Sequence, residues 1–448
     1  MEPRVVTPGL ESNAPEIIDV VGIGFGPSNL SLAVALREDA EEHDGDGLTS
    51  RFVEQQPRFG WHRGMLIDGA TLQISFLKDL VTLRNPASHY SFISYLSAKN
   101  RLVDFINGKT FYPTRVEFHD YLSWVADAMD DVVDYATRAT NVRPVYADDE
   151  VAFWDVTAVA ADGSGPRPQV LRGRNLVLAA GLTPALPPGV KTTKRTWHSS
   201  EFLDRTANLD LDHPHRFAVV GAGQSAAEVV GDLHRRFRRA TVHAIFARYG
   251  YSVAEETPFA NGIFDPMAVD RYFTAPLPVK SQLLRYHRNT NYSVVDSDLL
   301  ADLFQRVYAE KVDGHKRLHL HNMSSITSFV ETSDDLGITV ADLAAGETNF
   351  LTVDQLIYAT GYRPVDLRSV LGDAADLCQF DEDGQIVVGR DYQVALRDGR
   401  GPSGIFVQGG TEHSHGLSSS LLSNAAVRAG EIVAAVQERL RQPTPLRA

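Results

Sequence analysis

At 448 residues the chain has room for two or three domains with sizeable cores. Its 43% apolar and 22% charged residues are those of an ordinary globular protein, and a net charge of -14 argues against a nucleic-acid or anionic-membrane partner, either of which asks for a basic face. No stretch nears the ~20 apolar residues of a membrane span, and the lone cysteine, Cys378, excludes an internal disulfide or a cysteine-based metal cluster and predicts a buried thiol in a reducing cytoplasm.

Met1 to Glu16 is polar, contains proline and lacks the apolar core of a signal peptide, so residues 1–16 read as a disordered lead-in. The β-forming run Ile17-Ile18-Asp19-Val20-Val21 then predicts a strand. It enters Gly22-Ile23-Gly24-Phe25-Gly26-Pro27-Ser28-Asn29-Leu30, and apolar periodicity to Leu36 predicts a helix. Strand, tight glycine turn and helix is the element in which backbone N–H groups face a pyrophosphate. Gly22 and Gly24 read as the glycines of the sharp turn and of close approach to phosphate. Pro27 then falls where G-x-G-x-x-G has its third glycine, and Gly26 is expected to take over the packing of helix on strand. The acidic run Asp39 to Thr49 is a loop, and Arg51-Phe52-Val53-Glu54 reads as a strand. Glu54 stands 28 residues beyond Gly26, past the usual ~20 for the acid that binds a ribose hydroxyl. The long loop accounts for the excess; a solvated strand-end glutamate is the alternative.

Residues 60–125 are rich in aromatics and prolines, with helical stretches at Tyr90 to Leu96 and Glu117 to Trp124. Val151 to Val159 and Asn175 to Ala179 predict strands, the second ending in Ala180-Gly181, and Pro184, Pro187 and Pro188 mark a linker. Phe217-Ala218-Val219-Val220 then enters Gly221-Ala222-Gly223-Gln224-Ser225-Ala226 and a helix to Leu233, a second strand–turn–helix with Ala226 as an accepted third position. Val242 to Phe246, Thr352 to Thr360 and Ile405 to Gln408 predict further strands, and Leu421 to Val436 a last helix. The fold class is therefore α/β: two Rossmann-like dinucleotide-binding domains with a smaller substrate-binding region. The second domain (191–350, with a substrate-binding segment at about 255–300) is inserted between the two parts of the first (17–190 and 351–438). Two dinucleotides in one chain suggest a flavin that takes hydride from a nicotinamide.

Other residues have chemistry to offer. Lys78 lies among aromatic and apolar neighbours, where it needs an anionic partner or else reaches solvent. Asn261 and Asn291 combine donor and acceptor, suited to a zwitterion or to a turn. His413 and His415 have no third ligand at a metal-like spacing, so they read as loop residues near the flavin and no metal is expected.

Several segments together are far more specific than a glycine turn: Gly24 through Leu30, Gln73-Ile74-Ser75-Phe76-Leu77-Lys78-Asp79-Leu80, Phe259-Ala260-Asn261-Gly262-Ile263-Phe264, Asn291-Tyr292-Ser293-Val294-Val295, Ala359-Thr360-Gly361-Tyr362, and His415-Gly416-Leu417-Ser418 through Ser423. In this order the chain, from about residue 17 to 438, resembles the microbial flavin-dependent N-hydroxylating monooxygenases of L-ornithine or L-lysine, the bacterial L-ornithine enzymes above all. The resemblance implies FAD and NADPH as cofactors and O2 as co-substrate. It implies hydroxylation of the side-chain (delta) amine of L-ornithine, with L-lysine or a diamine as the alternative, for a hydroxamate siderophore or related natural product, and a homo-oligomer, tetrameric in the family.

Residue by residue, the resemblance implies that Glu54 through His62, Trp61 included, line the FAD, with Gln73 beside its isoalloxazine. Arg115 is expected to face the NADP. Gly221, Gly223, Gln224 and Ser225 would hold its pyrophosphate, Arg248 its 2′-phosphate, and Tyr292 would join the cofactor site. Lys78 would pair with the substrate carboxylate, and Asn261, beside Gly262, Ile263 and Phe264, would hold the α-amino and carboxylate end. Asn291 would lie near both substrate and NADP, Ser420, Leu421 and Leu422 would contact the flavin, and Ser423 would sit near the amine. Three positions depart from the pattern: Leu72 replaces a common methionine, Gly262 a Glu or Gln, and Ser419 an Asp. A disulfide reductase, which also carries two dinucleotide units, is excluded by the single cysteine. A non-enzymatic flavin or NADP sensor is the rival outside the family.

Overall fold

The structure, a computed structural model, describes residues 15–164, 168–397 and 401–441. The lead-in read over residues 1–16 lies outside them, except for its last two residues. The first glycine turn leaves a seven-stranded sheet in the order Val133–Asp134, Ser50–Val53, Ile17–Ile23, Gln169–Leu178, Glu150–Ala160, Thr137–Ala147, with Gly404–Val407 also on Gln169–Leu178. That long strand changes partner along its length. Residues 169–173 pair antiparallel with Glu150–Ala160, while 175–178 pair parallel with Gly404–Val407. The central strand is covered on both faces, which is why its sequence runs Val20-Val21 without polar alternation. Helix Pro27–Glu42, started by proline at its first position, lies against the C-terminal helix Ala425–Arg441. The latter begins four residues later than its periodicity predicts, because 3₁₀ turns occupy Leu417–Ser420 and Leu422–Asn424.

The second unit is a five-stranded parallel sheet, Leu318–His321, Thr241–Ile245, Arg216–Val220, Gln355–Tyr358, Thr196–His198. One face takes helix Gln224–Arg236, which buries Val229, Val230 and Leu233 against Phe217 and Val219. The other face takes the antiparallel strands Ser324–Glu331, Leu336–Asp342 and Thr348–Val353, around Ala218, Ile245 and Leu356. This corrects the boundary expected at 350/351. Gln355–Tyr358 is hydrogen-bonded to Arg216–Val220 and Thr196–His198, so the inserted domain keeps the chain to about residue 359. A short, wholly buried apolar strand reads the same in either parallel sheet, and only its partners decide. The chain returns through Tyr362–Pro364, which pairs antiparallel with the outgoing Leu182–Pro184. Thr360 Oγ1 donates to the Ala185 carbonyl at 2.5 Å, so the two crossings brace one another.

Between these units lie the short helices Pro258–Asn261, Pro266–Thr274 and Leu277–Tyr286, followed by Ser297–Asp313. Leu277–Tyr286 has no buried residue. Among the described residues no helix is long and apolar enough to cross a membrane.

Candidate active site

The two glycine turns are built alike, and the structure corrects how the first is read. Each strand ends three residues before a helix N-cap, Gly26 in one unit and Gly223 in the other. Gly24 has φ +86° and an added Cβ would sit 2.4 Å from the Ala179 carbonyl; Gly221 has φ +142° and its Cβ would sit 2.3 Å from the Ala359 carbonyl. The first fingerprint is therefore Gly24-Phe25-Gly26-Pro27-Ser28-Asn29, not one that begins at Gly22. Pro27 is the first helical residue rather than the third glycine's replacement, and that place belongs to Asn29. Gly26 does not pack helix on strand, since a Cβ there meets nothing within 4 Å, the open approach a phosphate needs. The close packing is at Gly22, whose Cβ would strike the Phe52 ring of the neighbouring strand at 2.1 Å and stand 3.0 Å from Asn29 Nδ2 on the helix.

Asn29, fully buried, donates to the Gly24 carbonyl at 2.7 Å and accepts from Gln408 Nε2 at 3.0 Å. Arg428, only 2% exposed, donates to Gln408 Oε1, to the Ser419 carbonyl and to Ser28 Oγ. Burial lowers its pKa, and no carboxylate pairs with it among the described residues. One arginine thus ties the start of the first helix to the C-terminal motif. Neither Asn29 nor Arg428 was singled out from sequence, although a lone arginine within Ala425-Ala426-Val427-Arg428-Ala429 is the kind of signal a buried polar anchor leaves. In the same motif Ser419 Oγ, Ser423 Oγ and both amide atoms of Asn424 are buried without a hydrogen-bond partner. Buried polar atoms are rarely left so. Together with the open Gly26 and the paired turns, they fit a flavin dinucleotide on the first domain and a nicotinamide dinucleotide on the second.

Glu54, at the end of Ser50–Val53, accepts from the N–H groups of Phe25 (2.7 Å) and Gln56 (2.8 Å), which fixes its carboxylate beside the first turn. Trp61 packs edge-on against His62, with centroids 4.8 Å apart. His62 has a left-handed φ of 50°. The residue is exposed at the surface, yet the surrounding protein and the Arg115 guanidinium push its pKa down to about 4.

Arg115 has partners within the protein. Both prongs of its guanidinium go to Glu228, at 2.7 and 2.9 Å, and a further bond goes to the Met65 carbonyl. With side-chain exposures of 13% and 4%, this pair is an internal bridge between helix Arg115–Asp127 and helix Gln224–Arg236, so much of the guanidinium is engaged within the protein. Beside it Gln73 Nε2 donates to Asp296, which also accepts from Gln224. Ser225 follows in the first turn of that helix. Lys78 is half-buried and forms no salt bridge among the described residues.

The inserted segment meets the second turn and the C-terminal motif. Ser293, in the left-handed region at φ 58°, lies against the second turn: a Cβ on Gly223 would stand 3.3 Å from its Cα. Tyr292 donates its hydroxyl to Glu412, which also hydrogen-bonds Ser420. Burial raises the Glu412 carboxyl, and these two donors oppose the shift. Asn291 closes the 3₁₀ turn His287–Thr290 and reaches the Tyr292 hydroxyl. The turn Gly262–Phe264 packs on Leu417–Ser420, which brings Ile263 and Phe264 to the same motif as Leu421, Leu422 and Ser423. Asn261 donates to the Glu256 carbonyl at 3.1 Å, so part of its amide serves the chain just before its own helix. Gly262 has an ordinary helical φ, and a Cβ there would meet only Asp265 at 3.8 Å. Glycine is therefore not demanded by the backbone at this departure. His413 and His415 lie on a short helix, not a loop, and bond the carbonyls of Ile386 and Arg390.

Arg248, just beyond Thr241–Ile245, donates to the Ser293 carbonyl at 2.8 Å. With Arg285, Arg288, Tyr286, Asn289 and Tyr292 it lines a cavity of about 640 Å³ bearing three guanidinium groups and no carboxylate. Arg285 and Arg288 were missed in the sequence, where two arginines close before Asn291 in an acidic chain were the available sign. Asp296, two residues past Val294, reads as no more than a helix cap, and Glu412 is hidden beside the histidines weighed as metal ligands.

Comparison with known proteins agrees with this architecture. The profile of the family described as L-lysine 6-monooxygenase/L-ornithine 5-monooxygenase matches residues 16–364. The L-ornithine N(5)-monooxygenase of Burkholderia cepacia is 42% identical over 408 residues, 89% of this chain and 90% of that protein. The ornithine N-hydroxylase KtzI of Kutzneria sp. 744, solved with reduced FAD, NADP+ and L-ornithine, superposes with TM-score 0.89 at 46% identity, covering 95% of this chain and all of that one. The L-lysine 6-monooxygenase of Pseudomonas syringae gives 0.81 at 32% identity, with 95% and 100% coverage.

Proposed function

The chain belongs to the L-lysine 6-monooxygenase/L-ornithine 5-monooxygenase family, and on that premise we propose that it hydroxylates the side-chain amine of L-ornithine with NADPH, O2 and FAD, for a hydroxamate siderophore or related natural product. The observation that carries this reading is the bridge made by Asn291-Tyr292-Ser293. Ser293 rests on the second glycine turn while Tyr292 reaches Glu412 beside Ser420, so one short segment attends both dinucleotides.

Bound FAD, once reduced by NADPH, supplies the oxygen-activating chemistry. The chain's own residues bind, orient and exclude water. Gly24, Gly26, Ser28 and the helix that follows hold one pyrophosphate, and Gly221, Gly223, Gln224 and Ser225 hold the other. Glu54 takes the ribose, and Trp61, His62, Gln73 and Ser420 through Leu422 border the flavin. Arg248, Arg285 and Arg288 supply the charge for a 2′-phosphate. Lys78 pairs with the amino-acid carboxylate, Asn261 holds the α-amino end beside Gly262, Ile263 and Phe264, and Asn291 and Ser423 flank the reacting amine. That amine must arrive neutral, against a reference pKa near ~10.4. Glu412 already accepts from Tyr292 and Ser420, which reduces its capacity to hold an ammonium.

The enzyme works in the cytoplasm, where NADPH is supplied, as a homo-oligomer, a tetramer by likeness to the family. The stripe Phe304, Tyr308 and Val312, 65%, 57% and 70% exposed on successive turns of Ser297–Asp313, supports association. A panel of L-ornithine, L-lysine and terminal diamines, with hydroxylamine product measured beside NADPH loss, tests the reading. L-ornithine should give the largest product yield per NADPH. NADPH loss without hydroxylamine from any amine would refute it.

A further inference from the structure

A single carboxylate joins the two dinucleotide units. Asp296, the N-cap of helix Ser297–Asp313, accepts from Gln73 Nε2 at 2.9 Å on one oxygen and from Gln224 Nε2 at 2.8 Å on the other. Its own N–H donates to Gln224 Oε1 at 2.9 Å. Gln224 opens the helix after the second glycine turn, and its amide nitrogen also donates to Glu228 Oε1 at 3.0 Å. With both amide hydrogens and its oxygen engaged, the Gln224 carboxamide has one allowed orientation. Glu228 in turn is fixed by Arg115.

Gln73 is held differently. It comes from the flavin domain and is exposed on a cavity that it lines with Gln224 and Asp296, and Asp296 is its one side-chain partner among the described residues. An ionised carboxylate only accepts, so it grips Gln73 by nitrogen and leaves the carbonyl oxygen and one N–H for other partners. Burial and the Glu228 carboxylate push the Asp296 carboxyl up, and the two glutamine amides pull it back.

We propose that Asp296 is a positioning residue that sets the orientation of the Gln73 carboxamide from the nicotinamide side, so that the seating of the NADP-binding helix and the polar groups offered to the flavin change together. This rests on the reading above that Gln73 borders the isoalloxazine and Gln224 the NADP pyrophosphate. Replacing Asp296 by asparagine keeps its shape but turns one acceptor into a donor facing an amide N–H. Gln224 is held from three directions, so Gln73 is the group that turns over.

The test uses FAD-loaded wild type, Asp296→Asn, Gln73→Ala and the double variant. The readouts are the visible spectrum of bound FAD with and without NADP+, calorimetric NADP+ affinity, KM for L-ornithine and hydroxylamine formed per NADPH. Asp296→Asn should shift the flavin spectrum, weaken NADP+ roughly 3- to 10-fold, as for the loss of one hydrogen bond, and lower product per NADPH without raising the KM for L-ornithine. In the Gln73→Ala background it should add no further spectral shift, because the two residues act as one unit. If Asp296→Asn fails to hold FAD, Gln73→Glu, which sets a second carboxylate against Asp296, must give the same spectral and affinity signature. Simple additivity of the single variants, or an unchanged spectrum and NADP+ affinity, overturns the proposal while leaving an active L-ornithine hydroxylase. Failure to bind NADP+ or to oxygenate any amine overturns the reading beneath it.

Discussion

Lys78 is a half-buried cation that forms no salt bridge among the described residues, in a loop next to the proposed flavin contact Gln73. A charge-assisted hydrogen bond to a substrate carboxylate is worth about 1.5–3 kcal/mol, so Lys78→Ala should raise the KM for L-ornithine roughly tenfold or more. Anaerobic flavin reduction by NADPH should be unaffected, and stopped-flow absorbance separates the two. Asn291 makes a second residue-scale prediction. Hydride transfer precedes any need to shield the oxygenated site, so Asn291→Ala should reduce flavin normally yet release more H2O2 and less hydroxylamine per NADPH. Cofactor choice belongs to Arg248 and its neighbours. Arg248→Ala with Arg288→Ala should cost NADPH affinity far more than NADH affinity, measured as the ratio of kcat/KM values. The sequence pointed to Arg248 through its resemblance to the family. It did not reveal Arg285 and Arg288, whose approach depends on how Leu277–Tyr286 packs, nor that Arg115 would be taken by Glu228.

Among elements, the glycine turns were legible as turns but not in register. Gly22, Gly24 and Gly26 offer two overlapping fingerprints in sequence, and only the strand end and the Ala179 carbonyl decide between them. The corrected register makes opposite predictions for two neighbouring glycines. Gly24→Ala forces a Cβ toward Ala179 at a positive φ and should destabilise the apoprotein by about 1–3 kcal/mol in urea titration. Gly26→Ala meets no protein atom and should cost the apoprotein less than about 1 kcal/mol, yet weaken FAD binding. The Arg115–Glu228 bridge is mostly buried, and removing one partner strands the other. Arg115→Ala should therefore lose about 3–5 kcal/mol of stability, read from the same titration.

For the whole molecule, the insertion of one dinucleotide unit within the other was readable from the order of strands and turns. Where the chain crossed back was not, because Gln355–Tyr358 is as apolar as a strand of either sheet. Acid should find the inserted domain and the C-terminal motif together. Burial, with the imidazoles of His319 and His321, pushes His243 down to about 3, and burial pushes His415 down to about 4. Unfolded histidine titrates near ~6.5, so below that pH the unfolded chain takes up protons that the native state refuses. Stability is then full above about pH 6.5 and falls toward pH 4, by up to about 1.4 kcal/mol per pH unit for each of the two. His243→Gln should flatten the slope of urea midpoint against pH between 6.5 and 5.

The central claim, that this protein transfers one atom of O2 to the side-chain nitrogen of L-ornithine, is tested most directly by isotope. Turnover with NADPH under oxygen-18 gas should give N-hydroxylated L-ornithine carrying one labelled oxygen, and turnover in oxygen-18 water should give unlabelled product. Consumption of NADPH with L-ornithine recovered unchanged and all the oxygen in H2O2, or a product labelled from water, would contradict the account.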